Sequence, residues 1–255
     1  MAAIDLADEI SLKAVWENLR RDWLVLLSSG IPESDSTSEK WFEQVAVYRS
    51  QLETCSEKIF AQARPQVLIA EADPSRFLAR FWAALLADWN IVLANPNWGE
   101  SEWQAVRRLI QPTVVWADSW VFPLASFPAE TAQSHGLENR KNRENREHRL
   151  ILIPTGGSSG QVKFVCHHWQ SLVTAAFGFC DYFASNQSVN AYCVLPLHHV
   201  SGLMQAFRAF ASGGQLFIAS SDEQSYAGSE QIFDRLRPDS PTFISLAPTQ
   251  LERFL

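Results

Sequence analysis

No stretch of this 255-residue chain stays apolar for the length a membrane-spanning helix needs. The N-terminus also lacks the basic, acid-poor character of a signal or transit peptide, because "MAAIDLADEISLK" carries Asp5, Asp8 and Glu9. A cytoplasmic location is therefore expected. Positive charge is short as well: 21 Lys and Arg against 28 Asp and Glu leave a formal charge of -7. With no basic field, nucleic acid is not an expected partner, and any bound anion must be neutralised locally by single lysines, helix N-termini or a metal ion. Cysteine is scarce: Cys55, Cys166, Cys180 and Cys193 include no CxxC pair, which fits a reducing compartment rather than a disulfide framework. Cys166 and His168 would share one strand face, but no complete ligand set accompanies them, so no metal site is assigned. Internal repeats are absent.

What is present is enough apolar material for a full core. Of the residues, 47% are hydrophobic and 19% charged, sufficient for one large or two small globular domains. Ten tryptophans belong mostly in the core or in pocket walls, since such rings bury large areas.

The first part of the chain reads as helical: Leu12, Val15, Trp16, Leu19 and Trp23 share a face, and Gly30 with Pro32 ends the element. In a second helix Trp41, Val45, Tyr48, Leu52, Cys55 and Ile59 form a core stripe. From residue 67 the rhythm becomes strand "VLIA", helix "SRFLARFWAALLAD" opened by Asp73 and Pro74, strand "NIVLA", helix "ESEWQAVRRLI" and strand "TVVWA". Residues 126–149, with the mixed-charge "LENRKNRENREHR", read as a solvated loop or linker. Alternation then resumes: "LILI", a Gly/Ser loop, "VKFVCH", helix "WQSLVTAAFGFCDYFA", strand "AYCVLPL", helix "GLMQAFRAFA", strand "QLFIAS", helix "SEQIFDRLR", strand "TFISLA" and helix "PTQLERFL". The expected class is α/β, with parallel or mixed sheets and crossover helices. Its expected parts are a helical segment over 1–65, an α/β block over 66–125, the charged linker over 126–149 and a second α/β block over 150–255. The chain stops inside an amphipathic helix, which leads to the expectation of a truncated protein.

The stretch "IPTGGSSGQVKFVCHH" admits three readings. It is a flexible hairpin turn, although threonine, two serines and a lysine within nine residues are many donors for one. It is a hydrolase nucleophile elbow, with Gly156-Gly157-Ser158-Ser159-Gly160 satisfying G-x-S-x-G and Asp181 with His198 or His199 completing the chain order; an elbow must run into a helix, however, and β-formers follow. Or it cradles phosphate, through glycine-freed N–H groups, the hydroxyls of Thr155, Ser158 and Ser159, and the charge of Lys163. It is not of the Walker type, because Lys163 neither follows Gly160 directly nor precedes Ser or Thr.

Thr155 to Phe164 resembles the signature T-S-G-T-T-G-x-P-K-G of the adenylate-forming acyl-CoA synthetase superfamily, departing at Gly156, Val162 and Phe164. "LPLHHVSGL" is similar to that superfamily's P-L-F-H-x-x-G-L segment, aligning Pro196, Leu197, His199, Gly202 and Leu203, and "SLAPTQLERFL" to its S-x-x-P-T-x-x-x-x-L-L helix start. The stretch "FWAALLADWNIVLANPNWGESEWQAV" resembles its early strand-helix unit, so the likeness covers about residues 67–255. Within the superfamily, "LILIPTGGSSG", "HHVSGLMQAF" and "APTQLERFL" look most like o-succinylbenzoate-CoA ligases of menaquinone and phylloquinone synthesis, of the cyanobacterial and plastid type.

The resemblance implies that a carboxylate attacks the α-phosphorus of Mg-ATP, and that the thiol of CoA then displaces AMP. It assigns Thr155, Gly156, Gly157, Ser158, Ser159, Gly160 and Lys163 to the phosphates, with ATP, Mg²⁺ and CoA as cofactors. His199 would orient the carboxylate, with Ser201, Gly202, Thr249 and Gln250 near the acid. The plainer alternatives are a polar loop pair for His198 and His199, and a helix cap for Thr249 and Gln250; Phe207 and Phe210 are expected in the core. The superfamily's Y-G-x-T-E turn, T-G-D aspartate and C-terminal-domain lysine have no counterpart here. The chain alone is thus expected to be inactive, and a non-catalytic remnant is the rival reading.

Overall fold

The computed structural model describes residues 17, 23–28, 31–32, 36–56, 64–118, 149–156, 161–185, 187–219 and 241–254. Two compact units emerge, one of Met1–Val45, Asp73–Ala79 and Gln170–Leu255, the other of Ala46–Ala72 and Arg80–Trp169. Each holds a five-stranded sheet.

In the second unit β3 (Gln66–Ala70), β4 (Asn90–Leu93), β5 (Val114–Ala117), β6 (Leu150–Gly156) and β7 (Val162–His168) lie in the order β5-β3-β4-β6-β7. The first four are parallel and β7 returns antiparallel along β6. Such strands are covered on both faces, which is why "VLIA" and "NIVLA" are continuously apolar. Leu68, Ala70, Val92 and Leu152 pack with Trp103 and Val106 of α3 (Glu100–Leu109) and with Ile110 just past its end. Trp82 and Trp169 meet edge to face at 5.8 Å. Each fully buried ring of this size contributes on the order of 2–3 kcal/mol.

Helix boundaries follow from local chemistry. α2 (Pro74–Leu86) begins where Asp73 Oδ1 accepts the Arg76 N–H at 2.7 Å, with proline at the first helical position. Just past its end Asp88 takes a left-handed backbone (φ 64), and its carboxylate is gripped by Arg64 and Arg149 at 2.6 and 2.7 Å. In α3, Glu100 and Glu102 occupy the first turn and Arg107 and Arg108 the last, matching the helix dipole.

The first unit's sheet runs β10-β8-β9-β1-β2, from β1 (Leu24–Ser28), β2 (Ile31–Pro32), β8 (Asn190–Cys193), β9 (Leu216–Ala219) and β10 (Thr242–Ile244). β2 is antiparallel to β1 and the other pairs are parallel. β8 leads into α5 (Val200–Ser212), which closes on Gly213 at φ 76, a conformation only glycine adopts freely. α4 (Trp169–Ala184) and α6 (Pro248–Phe254) complete the described elements with α1 (Ser36–Ser56).

Most expected elements are present, and Trp41, Val45 and Leu52 of the α1 stripe are buried, as are Phe207 and Phe210 of α5. One is different. Residues 24–28, expected to continue a helix as far as Gly30, form β1 beside β9, Leu24 opposite Leu216. An apolar run is ambiguous between strand and helix, and pairing with distant residues decided it. β6 and β7 lie in the same sheet as β3, β4 and β5, Ile151 beside Ile91. The strand expected over "AYCVLPL" ends at Cys193. The expected helix "SEQIFDRLR", all of the charged linker except Arg149, and Leu12, Val15, Trp16, Leu19 and Ile59 lie outside the described residues. No helix among the described residues is long and apolar enough to cross a membrane.

Candidate active site

In the second unit β3, β4, β5 and β6 all end at one edge of their sheet, the position at which open α/β sheets receive ligands. β6 carries the Gly/Ser loop at that edge. Its hairpin with β7 puts Thr155 directly across from Lys163 and Gly156 across from Val162. Opposed residues of an antiparallel pair project to the same face, so the hydroxyl and the ammonium share one side. Thr155, Gly156 and Lys163 are exposed while Val162 is buried, which anchors the hairpin and leaves the polar side to solvent. Gly157, Ser158, Ser159 and Gly160 lie outside the described residues. The strand after the loop removes the condition for a nucleophile elbow, which needs a helix there.

In the first unit the residues that the resemblance assigns to the acid gather where β8 passes into α5. Gly202 is buried, and a Cβ on it would overlap the carbonyl of Pro196 and come within 2.7 Å of that of Leu195. Glycine therefore lets the first turn of α5 rest on the Leu195–Pro196 backbone. Cys193 supports the same turn, its Sγ 3.4 Å from the Leu195 carbonyl oxygen; burial pushes this thiol up to about 12, so it is inert. His199 sits at the N-cap, its backbone N–H donating to the Pro196 carbonyl at 3.1 Å and its carbonyl accepting from Leu203 at 3.0 Å. The imidazole makes no capping hydrogen bond, so it is left for other work. Burial holds it below the usual histidine range, and therefore neutral at pH 7. Ser201 is exposed in the same turn.

His198 differs from its neighbour. It is 8% exposed, with its ring 4.5 Å from that of His199, and burial, reinforced by that histidine, pushes it down to about 4. A polar loop pair would have both rings in solvent; here one is in the core.

The N-terminus of α6 is tied to this segment. Gln250 Oε1 accepts the Ala247 N–H at 2.8 Å, and its Nε2 lies 3.4 Å from the Val194 carbonyl oxygen. The amide thus caps its own helix and tethers it to the β8–α5 connection, while Thr249 is exposed. Among the described residues no group of three or more His, Cys, Asp or Glu is arranged to hold a metal ion, and the exposed Cys166 on β7 belongs to none.

Two features had little signal in the sequence. Gln205, on α5, is 1% exposed within an otherwise apolar run; a lone amide between Met204 and Ala206 was its only mark. Glu71, just past the end of β3, is buried in an ion pair at 2.6 Å with Arg80, nine positions on in the following helix, and that separation gave no cue.

The two glycines predict opposite outcomes. Gly202→Ala should cost about 1–3 kcal/mol by forcing α5 off its seat. Gly156→Ser should stay within about 0.5 kcal/mol, because a Cβ there meets nothing within 4 Å. Urea unfolding of the two variants checks both: a negligible loss in Gly202→Ala would overturn the seat of α5, and a large one in Gly156→Ser the open space at that position.

The chain is similar to several known proteins. Solved structures similar to this chain include VinN with 3-methylaspartate, at TM-score 0.65 and 15% identity over 94% of this chain and 67% of that one. O-succinylbenzoate coenzyme A synthetase (MenE) from Bacillus subtilis with AMP gives 0.62 and 16% over 95% and 62%. Fatty acyl-adenylate ligase from L. pneumophila, in complex with acyl adenylate and pyrophosphate, gives 0.59 and 19% over 81% and 39%. At these identities the likeness establishes the fold, that of adenylate-forming enzyme domains. By sequence, a 2-succinylbenzoate–CoA ligase of Haemophilus influenzae is 34% identical over 101 residues, 40% of this chain and 20% of the relative. The chain thus aligns with only a fifth of that curated relative's length. The model of one family, described as AMP-binding enzyme, matches residues 45–255. Since that span takes in both sheets' parallel strands from β3 onward and every motif residue considered above, the chain belongs to the AMP-binding enzyme family.

Proposed function

We propose that this chain supplies the acid-activating half-reaction of an acyl-CoA ligase, with o-succinylbenzoate as the acid and menaquinone or phylloquinone synthesis as the setting. The observation that carries the reading is the β6–β7 hairpin: a Gly/Ser loop at the carboxyl end of a parallel strand, with Thr155 opposite the exposed Lys163. A carboxylate oxygen attacks the α-phosphorus of ATP, the bond to pyrophosphate breaks, and the acyl group gains AMP as its leaving group. Charge grows on the departing phosphates, and donors of Thr155, Gly156, Gly157, Ser158, Ser159 and Gly160, with the Lys163 ammonium, stabilise it. Mg²⁺ arrives with the nucleotide; the described residues offer no carboxylate cluster for it. CoA is the acceptor of the second half-reaction, in the cytoplasm.

The carboxylate is assigned to the start of α5. Unpaired N–H groups of a helix's first turn favour an anion, and neutral His199, free of capping duty, can donate to it. Gly202 acts by letting that turn seat, Ser201 adds a hydroxyl, and Thr249 and Gln250 border the acid from α6. The test is ATP–pyrophosphate exchange on the natural protein with o-succinylbenzoate set against benzoate, a cinnamate and a fatty acid. Exchange that depends on o-succinylbenzoate is expected; no exchange with any acid overturns the reading.

A further inference from the structure

Lys163 stands between two residues that depart from the superfamily motif quoted above: Val162 where the motif has proline, and Phe164 where it has glycine. Proline would fix φ at the start of β7 and glycine would offer no side chain to pack, so the motif's own means of shaping this stretch is absent here. The two replacements share a destination. Side chains alternate along a strand, which sends Val162 and Phe164 to one face of β7 and Lys163 to the other. Val162 is buried and Phe164 half-buried, both packed in the cluster that holds Leu152, Trp103 and Val106. Phe164 is also met by Trp98, edge to face, with ring centres 6.4 Å apart, and Trp98 meets Trp103 in the same way at 5.4 Å. Both separations lie in the range where such pairs attract.

Trp98 is itself placed by local chemistry. After β4 the Asn95 side chain accepts the Asn97 N–H at 2.9 Å and the Asn95 carbonyl accepts the Trp98 N–H at 3.2 Å, a turn that delivers the indole just ahead of Gly99, the N-cap of α3. Trp98 and Trp103 then occupy the position before the cap and the fourth of the helix, a pairing that fixes how the chain enters α3. Two rings complete such a staple. Here a third is added, from the strand that carries Lys163.

We propose that Trp98 and Phe164 are positioning residues for the phosphate site: the row Trp103, Trp98, Phe164 holds β7 by the face opposite Lys163 and so sets the direction of the ammonium. This rests on the reading that places the phosphates of ATP at the hairpin. With Phe164 truncated, Val162 is the one immediate neighbour of Lys163 still held in the core, and β7 is free to turn about its own axis. A misplacement of about 1 Å in a group that stabilises charge is enough to cost about 100-fold in rate.

The test is a double-mutant cycle on the natural protein, read by calorimetric binding of MgATP with ATP–pyrophosphate exchange alongside. Phe164→Val keeps a β-former in the strand and Trp98→Leu keeps apolar bulk, while each removes a ring. Each is expected to raise the Kd of MgATP and to slow exchange about fivefold to tenfold, yet to change either by less than about twofold when made in Lys163→Ala. Phe164→Tyr, which restores a ring, is expected to recover most of the loss. Rings with a purely structural role would weaken binding equally in both backgrounds; that result, or unchanged binding in the folded single variants, overturns the proposal. If Phe164→Val lowers the thermal midpoint, Trp98→Leu, on a turn rather than in the sheet, carries the same cycle. MgATP binding that follows the expected cycle while no acid supports exchange upholds the proposal and sinks the acid-activating reading, whereas a wild type that binds no MgATP overturns both.

Discussion

Lys163→Ala should slow ATP–pyrophosphate exchange about 100-fold, with the thermal midpoint unchanged. Losing one preorganised donor to developing negative charge typically removes two to three orders of magnitude in rate. Structural damage is not expected, since Lys163 is an exposed position on β7 whose backbone pairing with Thr155 survives the change. Lys163→Arg keeps the charge yet spreads it over a planar fork, so it should recover part of the rate and not all of it. Rapid-quench measurement of adenylate formation separates the chemical step from product release. Full-speed exchange in Lys163→Ala would remove the phosphates from this hairpin.

Arg80→Ala should cost about 3–5 kcal/mol, the largest stability loss of any single substitution considered. The Glu71 side chain is fully enclosed and meets Arg80 Nη1 at 2.6 Å, while the guanidinium lies 5.2 Å from the Tyr48 ring centre and 6.0 Å from that of Trp116. Removing the cation takes from the buried carboxylate its 2.6 Å partner and from both rings the guanidinium that flanks them. Arg80→Met combined with Glu71→Leu should return to within about 1–2 kcal/mol of wild type, because a matched apolar pair carries no desolvation penalty. Urea midpoints of the single and double variants decide it. A mild Arg80→Ala would mean that solvent reaches the pair.

Much of this was legible beforehand because its causes are local. Asp73 and Pro74 announce a helix start by capping chemistry, and the β-formers after the Gly/Ser loop distinguish a hairpin from an elbow. The family motifs likewise lie in short contiguous segments. What was not legible depends on partners far along the chain. β1 reads as helix until β9 is beside it, and that β6 lies next to β4 cannot be read from either segment alone. Gln250 shows the limit on the site: its cap to Ala247 is local and was foreseeable, whereas its reach to the Val194 carbonyl required the folded β8–α5 connection. Burial of His198 was equally hidden, since adjacent histidines in "LPLHHVSGL" look alike in one dimension.

The pairing of β1 also sets an order of events during synthesis. Every strand of the β5-β3-β4-β6-β7 sheet lies between Gln66 and His168, so that sheet can close soon after its last strand leaves the ribosome. β1 leaves far earlier but must wait for β9, whose Leu216 takes Leu24 as partner. An apolar strand made early, with only the two-residue β2 beside it on one edge, keeps its other edge unpaired until β9 is made, and long-range parallel pairing is slow even once both halves exist. Nascent-chain capture by a chaperone should therefore concentrate on "WLVLLS", and its release should coincide with the emergence of β9.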